Sequence, residues 1–414
     1  MMKKMLSMLL CLLLAMCLLG GCAYLPFEGI SDMNAAADDG DLQALDGDTV
    51  ILSREDYERY KQFDTLLELM DIVDVNFYED ADENAMLEGA AQGLLAALGD
   101  PYTFYYTPED YASMWEDDEG EYAGVGMQIS ASYVTGICTI SRVFDNGPAK
   151  EAGVHKGDIL YQVEDLYVDA YNLQDAVDIM RGTPGTDVNV VFLRGGEELS
   201  FTLTRAKISV NRVESTMLED GIGYIYLYDF AGDCAVKFEA ALNDLVDRGA
   251  KGIIIDLRDN PGGWTADAES IADLFMDKGV IYYLEYRDGQ REYAYSKNVK
   301  TDVQLVVLMN QYSASSSEIL CGALKDRANA TVVGVQSYGK GIVQAVVGLS
   351  DQSGMQVTIA QYFTPNGNKV HQMGITHDVE VQLPEGDIGM YQFGDLSDPQ
   401  LSRALEIMQE KLAK

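Results

Sequence analysis

Residues 252–263 read GIIIDLRDNPGG. The near-continuous apolar run from Gly252 to Leu257 has the length of a strand buried on both faces, and Asn260, Pro261, Gly262 and Gly263 are turn formers. A helix is predicted directly after the turn, near Ala266 to Phe275. The same order recurs on both sides. Gly223 to Leu227 reads as a strand ahead of a helix near Asp233 to Arg248, and Leu305 to Met309 as a strand ahead of a helix near Ser315 to Arg327. Thr331 to Val335 supplies one more strand. Strand, helix, strand in repetition predicts an α/β layer on a largely parallel sheet. Met355 to Tyr362 alternates apolar and polar residues as an additional strand does, and Pro399 to Leu412 is a short amphipathic helix. The layer is assigned residues 208–398 and the tail helix residues 399–414.

Upstream of this layer, residues 119–207 read as a separate domain of short alternating strands, Gly124 to Ile129 and Gly136 to Val143, followed by NGPAKEAGVHKGDILYQVEDLYV from Asn146 to Val168. Before it, residues 54–118 carry apolar side chains at helical spacing: Tyr57, Tyr60, Phe63, Leu66, Leu67 and Met70, then Met86, Ala90, Leu94, Leu95 and Leu98. The breaker Gly99-Asp100-Pro101 closes them. Such stripes are usually core, but a helical arm of this kind can also pair two subunits, so a homodimer through the arm is an expected arrangement. Residues 22–53 are short on large apolar side chains and read as a flexible tether. Met1 to Lys4 carry two lysines, and Met5 to Leu19 form an apolar core of about fifteen residues, too short for a comfortable span. Leu19, Gly20, Gly21 and Cys22 resemble the bacterial lipobox. Cleavage before Cys22 would remove residues 1–21 as signal and leave Cys22 as the lipid attachment point, on the extracytoplasmic face of a bacterial cell membrane.

The 414 residues include 29 basic and 67 acidic side chains, a net charge of −38. Phosphate binding runs on clustered Lys and Arg, so no nucleic-acid partner is expected. With 47% apolar residues the chain can build real cores, and global disorder is excluded. Cys11 and Cys17 lie in the signal. Cys138, Cys234 and Cys321 are odd in number and far apart, which reads as small buried thiols rather than disulfides. The three histidines, His155, His371 and His377, stand in no metal-ligand spacing, and no metal or other cofactor is expected. None of them accompanies an evident serine elbow for a Ser-His-Asp triad.

Chemistry is concentrated on two runs. SASSSE, Ser313 to Glu318, follows an apolar strand and opens a helix, where a side chain is exposed at the turn and N–H groups point at a developing oxyanion. On composition alone, serines at this place are more often helix caps. YGKGIVQ, Tyr338 to Gln344, puts Lys340 between two glycines and 25 residues past Ser315. A serine nucleophile needs a base, and burial, which disfavours the charged form of an amine, makes a lysine a usable one. An isolated Gly-Lys-Gly is more often a loop lysine facing water.

The Asn146 to Val168 run, with its Gly-Pro-Ala-x-x-Ala-Gly turn and the Lys156-Gly157-Asp158 turn, resembles a PDZ domain of the bacterial protease type. The resemblance implies a groove that takes a peptide carboxyl end as an added strand, with Tyr122, Ala123, Gly124, Val125 and Gly126 as the peptide-binding loop for the terminal carboxylate. Together with DLRDNPGG, SASSSEI, YGKGIVQ, YFTPNG (Tyr362 to Gly367) and GITHDV (Gly374 to Val379), this order of segments resembles the carboxyl-terminal processing (tail-specific) serine protease family, over roughly residues 54–412. The implied architecture is a multidomain α/β and α+β one: helical arm, PDZ domain and α/β catalytic core. The implied roles are Ser315 as nucleophile, Lys340 as general base and Gln344 as the group that orients it. The N–H groups of Gly262 and Ser316 match the oxyanion hole, with Gly263 able to substitute for Gly262. Glu318 matches a site-supporting position, and Asp256, Arg258 and Asn260 shape the glycine turn. The chain departs from the family pattern with Ser316 where Ala is usual and His377 where Pro is usual, and neither change removes a catalytic side chain. The Ser337-x-x-Lys340 spacing also occurs in penicillin-binding proteins, but no Ser-Asp-Asn or Lys-Thr-Gly accompanies it. The resemblance implies a membrane-tethered extracytoplasmic endopeptidase acting on the C-terminal tails of exported or membrane proteins. A catalytically inactive PDZ scaffold is the alternative.

Overall fold

The computed structural model describes residues 24–25, 52–119, 121–132, 135–144, 146–297, 301–383, 391 and 393–414. The signal, Cys22 and most of the tether lie outside these residues. The described residues fall into two compact units, one of 24–25, 112–344 and 359–414 and the other of 52–111 with 345–358.

In the larger unit the apolar run at Gly252 forms the strand Gly252–Asp256, buried at all five residues. It sits inside a six-stranded sheet whose order is 213–217, 222–227, 252–256, 304–309, 331–334, 379–380. The last five strands are mutually parallel, and Val213–Met217 runs antiparallel to Ile222–Leu227. Helices Cys234–Asp247, Thr265–Asp273 and Ser316–Arg327 lie between successive strands of the chain. Alternate residues of the central strand face opposite cores. Ile253 and Ile255 join Phe238, Leu242, Ile271 and Leu320. Ile254 joins Val306 and Leu308 against Leu401, Ala404 and Met408 of the helix Pro399–Leu412. Gly252 is the contact point of that helix, since a Cβ there would lie 2.3 Å from the Met408 sulfur.

A second sheet, with Ile342–Gly348, Gly354–Phe363, Val280–Tyr286 and Arg291–Tyr295 in that order, has no counterpart in the sequence reading for its outer hairpin. The stretch 280–295 is dense in tyrosine rather than in aliphatic residues, and its Arg291–Tyr295 strand is largely exposed, so it lacks the buried aliphatic pattern of the parallel strands.

Residues 127–204 form an antiparallel sheet, in the order 127–132, 137–143, 159–163, 187–194, 197–204, over Pro148–Ala152 and Leu173–Met180. Ile140, Leu160, Val163, Ala176, Val190 and Phe192 are its core. Buried Asp158 pairs with Arg194 at 2.6 Å. The edge expected over Gly124 to Ile129 is split. Glu121–Gly124 pairs with Ala206–Ser209, and Met127–Ser132 is the outer strand. Gly126 makes the break at φ 81°, packed so closely on Gly147 that a Cβ would lie 2.6 Å from the Gly147 Cα.

In the smaller unit, Arg54–Tyr60, Asp64–Asn76 and Glu83–Ala96 are helices, two of them capped by Ser53 and Asp82. None of the three contains a buried residue. Leu67 is 56% exposed and Leu94 70%, so among the described residues the apolar stripe does not form a core. Tyr60, Phe63, Leu67, Met70, Met86 and Ala90 line a groove of about 520 Å³ between the helices. Among the described residues no helix is long and apolar enough to cross a membrane.

Candidate active site

The strand Gln304–Met309 leads into a braced turn. Ser313 Oγ donates to the Leu257 carbonyl at 2.7 Å and accepts from the Asn310 N–H at 3.0 Å. The turn delivers Ser315 at φ 56° and ψ −118°, a conformation a non-glycine residue holds at a cost on the order of 1–3 kcal/mol. Ser315 is fully buried, and its Oγ has no hydrogen-bond partner among the described residues. A serine that served as a helix cap would lend that oxygen to the first turn. Ser315 is the N-cap of this helix in a capping-box arrangement, the Glu318 carboxylate accepting its N–H at 3.0 Å, but the Glu318 N–H donates to the Ser315 carbonyl at 2.8 Å and no bond to Oγ forms. Leaving a buried hydroxyl unmade costs a further 1–3 kcal/mol or so. Two such costs at one residue mark Ser315 as held for something other than stability.

Glu318 is fully buried and gathers donors from three segments. One oxygen accepts Ser337 Oγ at 2.5 Å and the Gly339 N–H at 2.7 Å. The other accepts the N–H groups of Ser315 at 3.0 Å and Lys340 at 2.9 Å, with the Tyr362 hydroxyl at 3.3 Å. Those two amide nitrogens therefore stand no farther apart than the two bonds laid end to end. Burial pushes the Glu318 carboxyl above its ordinary range, against the pull of the Ser337, Gly339, Ser315 and Lys340 donors. The Tyr362 hydroxyl stands among these acceptors, 2.8 Å from the Lys340 carbonyl and 3.0 Å from that of Ser315, with one proton to donate to one of them at a time.

Lys340 is 1% exposed, so it is not a loop lysine facing water. Its flanking glycines are there for space: a Cβ on Gly341 would fall 2.0 Å from the His371 nitrogen. Gln344 is fully buried on the strand Ile342–Gly348 that leaves Lys340.

The GIIIDLRDNPGG turn closes the other side. Gly262, at φ 104°, comes so near Ser315 that a Cβ would lie 2.7 Å from the Ser315 Cβ and 2.9 Å from the Ser316 nitrogen. The Gly262 N–H, expected as an oxyanion donor, donates here to Asn260 Oδ1 at 2.8 Å. The sequence could not show this, since the bond depends on how the turn curls. Gly263 is tied to the same place, its carbonyl accepting Ser316 Oγ at 2.8 Å. Ser316 opens the helix, where an N–H has no intrahelical acceptor.

Behind the turn is a buried ion group. Arg258 binds Asp256 at 2.5 Å and Asp398 at 2.6 Å, and it also donates to Gln400 at 3.0 Å. Although burial opposes its charge, Asp256 and Asp398 hold the guanidinium firmly protonated. Asp398 and Gln400 escaped the sequence reading, as did the roles of Ser337 and Tyr362. Ser337 was read only as a coincidental spacing. Tyr362 lay in the quoted YFTPNG run, which was the available signal.

Of the expected carboxylate loop Tyr122 to Gly126, Tyr122 to Gly124 lie in the strand Glu121–Gly124, and Val125 and Gly126 link it to Met127–Ser132. The segment's carbonyls fasten it: those of Ala123, Val125 and Gly126 accept the N–H groups of Gly182, Ala149 and Phe144. The Arg181 guanidinium stands 5.5 Å from the Tyr122 ring centre.

Three family descriptions match along the chain: Activating protease CtpB N-terminal domain over residues 27–110, PDZ domain over 139–194 and Peptidase family S41 over 221–381. The carboxyl-terminal-processing protease of Synechocystis sp. is 36% identical over 330 residues, 77% of this chain and 76% of that protein. This chain belongs to the carboxyl-terminal processing protease family. A further member, the carboxy-terminal processing protease CtpA of Bacillus subtilis, is 32% identical over 78% of this chain and 70% of its own length. Among solved structures, the photosystem II D1 C-terminal processing protease superposes with a TM-score of 0.56 at 27% identity, over 80% of this chain and 94% of that one. As a carboxyl-terminal processing protease with a PDZ domain, the chain is a serine-type endopeptidase of multidomain α/β architecture.

Proposed function

We propose that this endopeptidase cleaves with a Ser315–Lys340 pair and selects substrates by their C-terminal tails. The observation that carries the reading is the shared Glu318 carboxylate, which fixes the backbones of Ser315 and Lys340 against each other while Ser315 Oγ is left unbonded. The Lys340 amine takes the Ser315 hydroxyl proton as Oγ attacks the scissile carbonyl, and Gln344 orients the amine. The oxyanion meets the N–H groups of Ser316 and Gly263, neither of which is spent in the bonds described for the turn among the described residues. Collapse of the tetrahedral intermediate forms an ester to Ser315 and transfers the lysine's proton to the leaving amine. Water, deprotonated by the same amine, then hydrolyses the ester and restores the hydroxyl.

The tail is taken by the 122–126 segment, its last residues adding as a strand along the open edge of Met127–Ser132. The chain is held by lipid at Cys22 on the extracytoplasmic face of the membrane, a reading that rests on the residues before that cysteine. Two chains pair through the arm, whose helices bury nothing by themselves. The test is casein hydrolysis by the full chain in mild detergent, with Ser315→Ala and Lys340→Ala beside it. Loss of cleavage in both folded variants supports the pair. Activity surviving in Ser315→Ala overturns the nucleophile, and equal rates on peptides with free and amidated carboxyl ends overturn tail selection.

A further inference from the structure

The chain contains two tryptophans, and they touch. The rings of Trp115 and Trp264 stack with centroids 5.7 Å apart and planes 15° from parallel. They come from places with different tasks. Trp115 lies near the end of the helix Pro108–Glu119, which is followed by the strand Glu121–Gly124 and the link Val125–Gly126, the segment proposed to take the carboxylate. Trp264 follows Gly262 and Gly263 directly and stands at the N-cap of the helix Thr265–Asp273. Its N–H donates to the Phe230 carbonyl at 2.7 Å, so its backbone is fixed to the same turn that presses on Ser315.

That turn has little freedom of its own. Gly262 and Gly263 hold φ values of 104° and 141°, and the bonds from Gly262 to Asn260 and from Ser316 to Gly263 depend on its exact placement. A planar contact between two large rings resists sliding and tilting at one end of the turn. Trp115 is itself 39% exposed, so the stack is more than core filling.

We propose that the Trp115–Trp264 stack is a clasp: it ties the helix leading into the carboxylate segment to the glycine turn, and Trp115 is a positioning residue for the oxyanion site. The role rests on the catalytic reading of Ser315 given above. A stacked pair of this kind is worth a factor of about threefold to tenfold, which appears in kcat if the turn is what it positions. KM for a short peptide stays unchanged, because Trp115 is not required to touch substrate.

The experiment uses the full chain in detergent, with Trp115→Ala, Trp115→Phe and Trp264→Phe. Two stacked indoles give an exciton couplet in circular dichroism, and with two tryptophans in the chain the couplet reports this contact. The wild type is expected to show it, and each variant to lose it. Trp115→Ala is expected to lower kcat threefold to tenfold at constant KM with a melting temperature lower by about 1–4 °C, while Trp115→Phe, which keeps a stacking ring and is the safer variant to fold, recovers most of the rate. A wild type without a couplet overturns the contact. An active wild type with Trp115→Ala equally active, or with Trp115→Phe as impaired as Trp115→Ala, overturns the positioning role. An inert wild type overturns instead the hydrolytic reading on which the role rests, while the couplet still reports the clasp.

Discussion

Replacing Glu318 by glutamine tests the site at its narrowest point. The new amide has two placements. With its NH2 toward Ser315 and Lys340 it would confront two backbone N–H donors, both now within 3.0 Å of a carboxylate oxygen. With its NH2 toward Gly339 and Ser337 it confronts one N–H at 2.7 Å, and the Ser337 hydroxyl can turn to accept. The second placement is cheaper and still leaves the buried Gly339 N–H unpaired, at about 1–3 kcal/mol. The bonds that remain fall from charge-assisted to neutral, losing roughly 1 kcal/mol each. Relief from burying a charge offsets part of this, leaving a net cost of about 2–4 kcal/mol. If that strain is released at the Ser315–Lys340 contact, kcat falls by about 30-fold to 1,000-fold. The assay is kcat and KM on a peptide, together with the rate of Ser315 acylation by a fluorophosphonate. Both rates should fall in parallel, with KM within a few-fold of wild type. A folded Glu318→Gln chain that retains kcat within threefold would show that the carboxylate does not hold the two residues in register.

Gly341→Ala has no room for its methyl group, which would lie 2.0 Å from the His371 nitrogen, so a loss of about 3 kcal/mol and a melting point lower by several degrees are expected. A normal melt with normal acylation would refute the packing account of the Gly-Lys-Gly run. Burial works to raise the Asp158 carboxyl, but its Arg194 partner overcomes this and holds it below the ordinary range. Its stabilising contribution is therefore complete above about pH 4 and lost as the pH falls through the lowered value. Hydrogen exchange at Ile140 and Val190 should lose protection below that point in the wild type, whereas Asp158→Asn should show low protection throughout and no such acid limb. Leu67→Glu puts a charge into the exposed stripe of the arm and should convert a dimer to a monomer in light scattering. A wild type that is monomeric at micromolar concentration removes the proposed pairing.

Where one residue type repeats in a pattern, the fold was legible. The buried parallel strands announce themselves as aliphatic runs, and the helices between them follow from turn residues and apolar spacing. The tyrosine-rich hairpin 280–295 was not legible, because its inner strand Val280–Tyr286 buries tyrosines in place of an aliphatic run and its outer strand Arg291–Tyr295 is exposed at the sheet edge and imitates ordinary surface. In the site, the runs holding Ser315 and Lys340 were visible, but the reason they stand together was not. Glu318 contributes through bonds to backbone N–H groups, which every sequence possesses, and only the folded chain shows which ones it meets. The Asn260 bond to the Gly262 N–H is of the same kind. The apolar stripe of the arm was visible as a stripe, whereas its exposure depends on what the rest of the chain leaves uncovered.

The bond from Arg258 to Asp398 spans 140 residues. During synthesis the glycine turn leaves the ribosome long before the helix Pro399–Leu412, and until that helix docks, the Arg258 guanidinium lacks one of its two carboxylate partners. A buried charge short of a partner is costly, so the turn beside Ser315 has little reason to settle into its final shape. The local clamp made by Glu318 can form early, since its bonds to Ser315, Ser337, Gly339 and Lys340 span at most 22 residues and the one to Tyr362 spans 44. The brace behind the turn comes last. A nascent chain would thus leave the ribosome with Ser315, Lys340 and their Glu318 clamp in place but the glycine turn beside them unfinished, and would gain its proteolytic power only once its own folding was nearly complete.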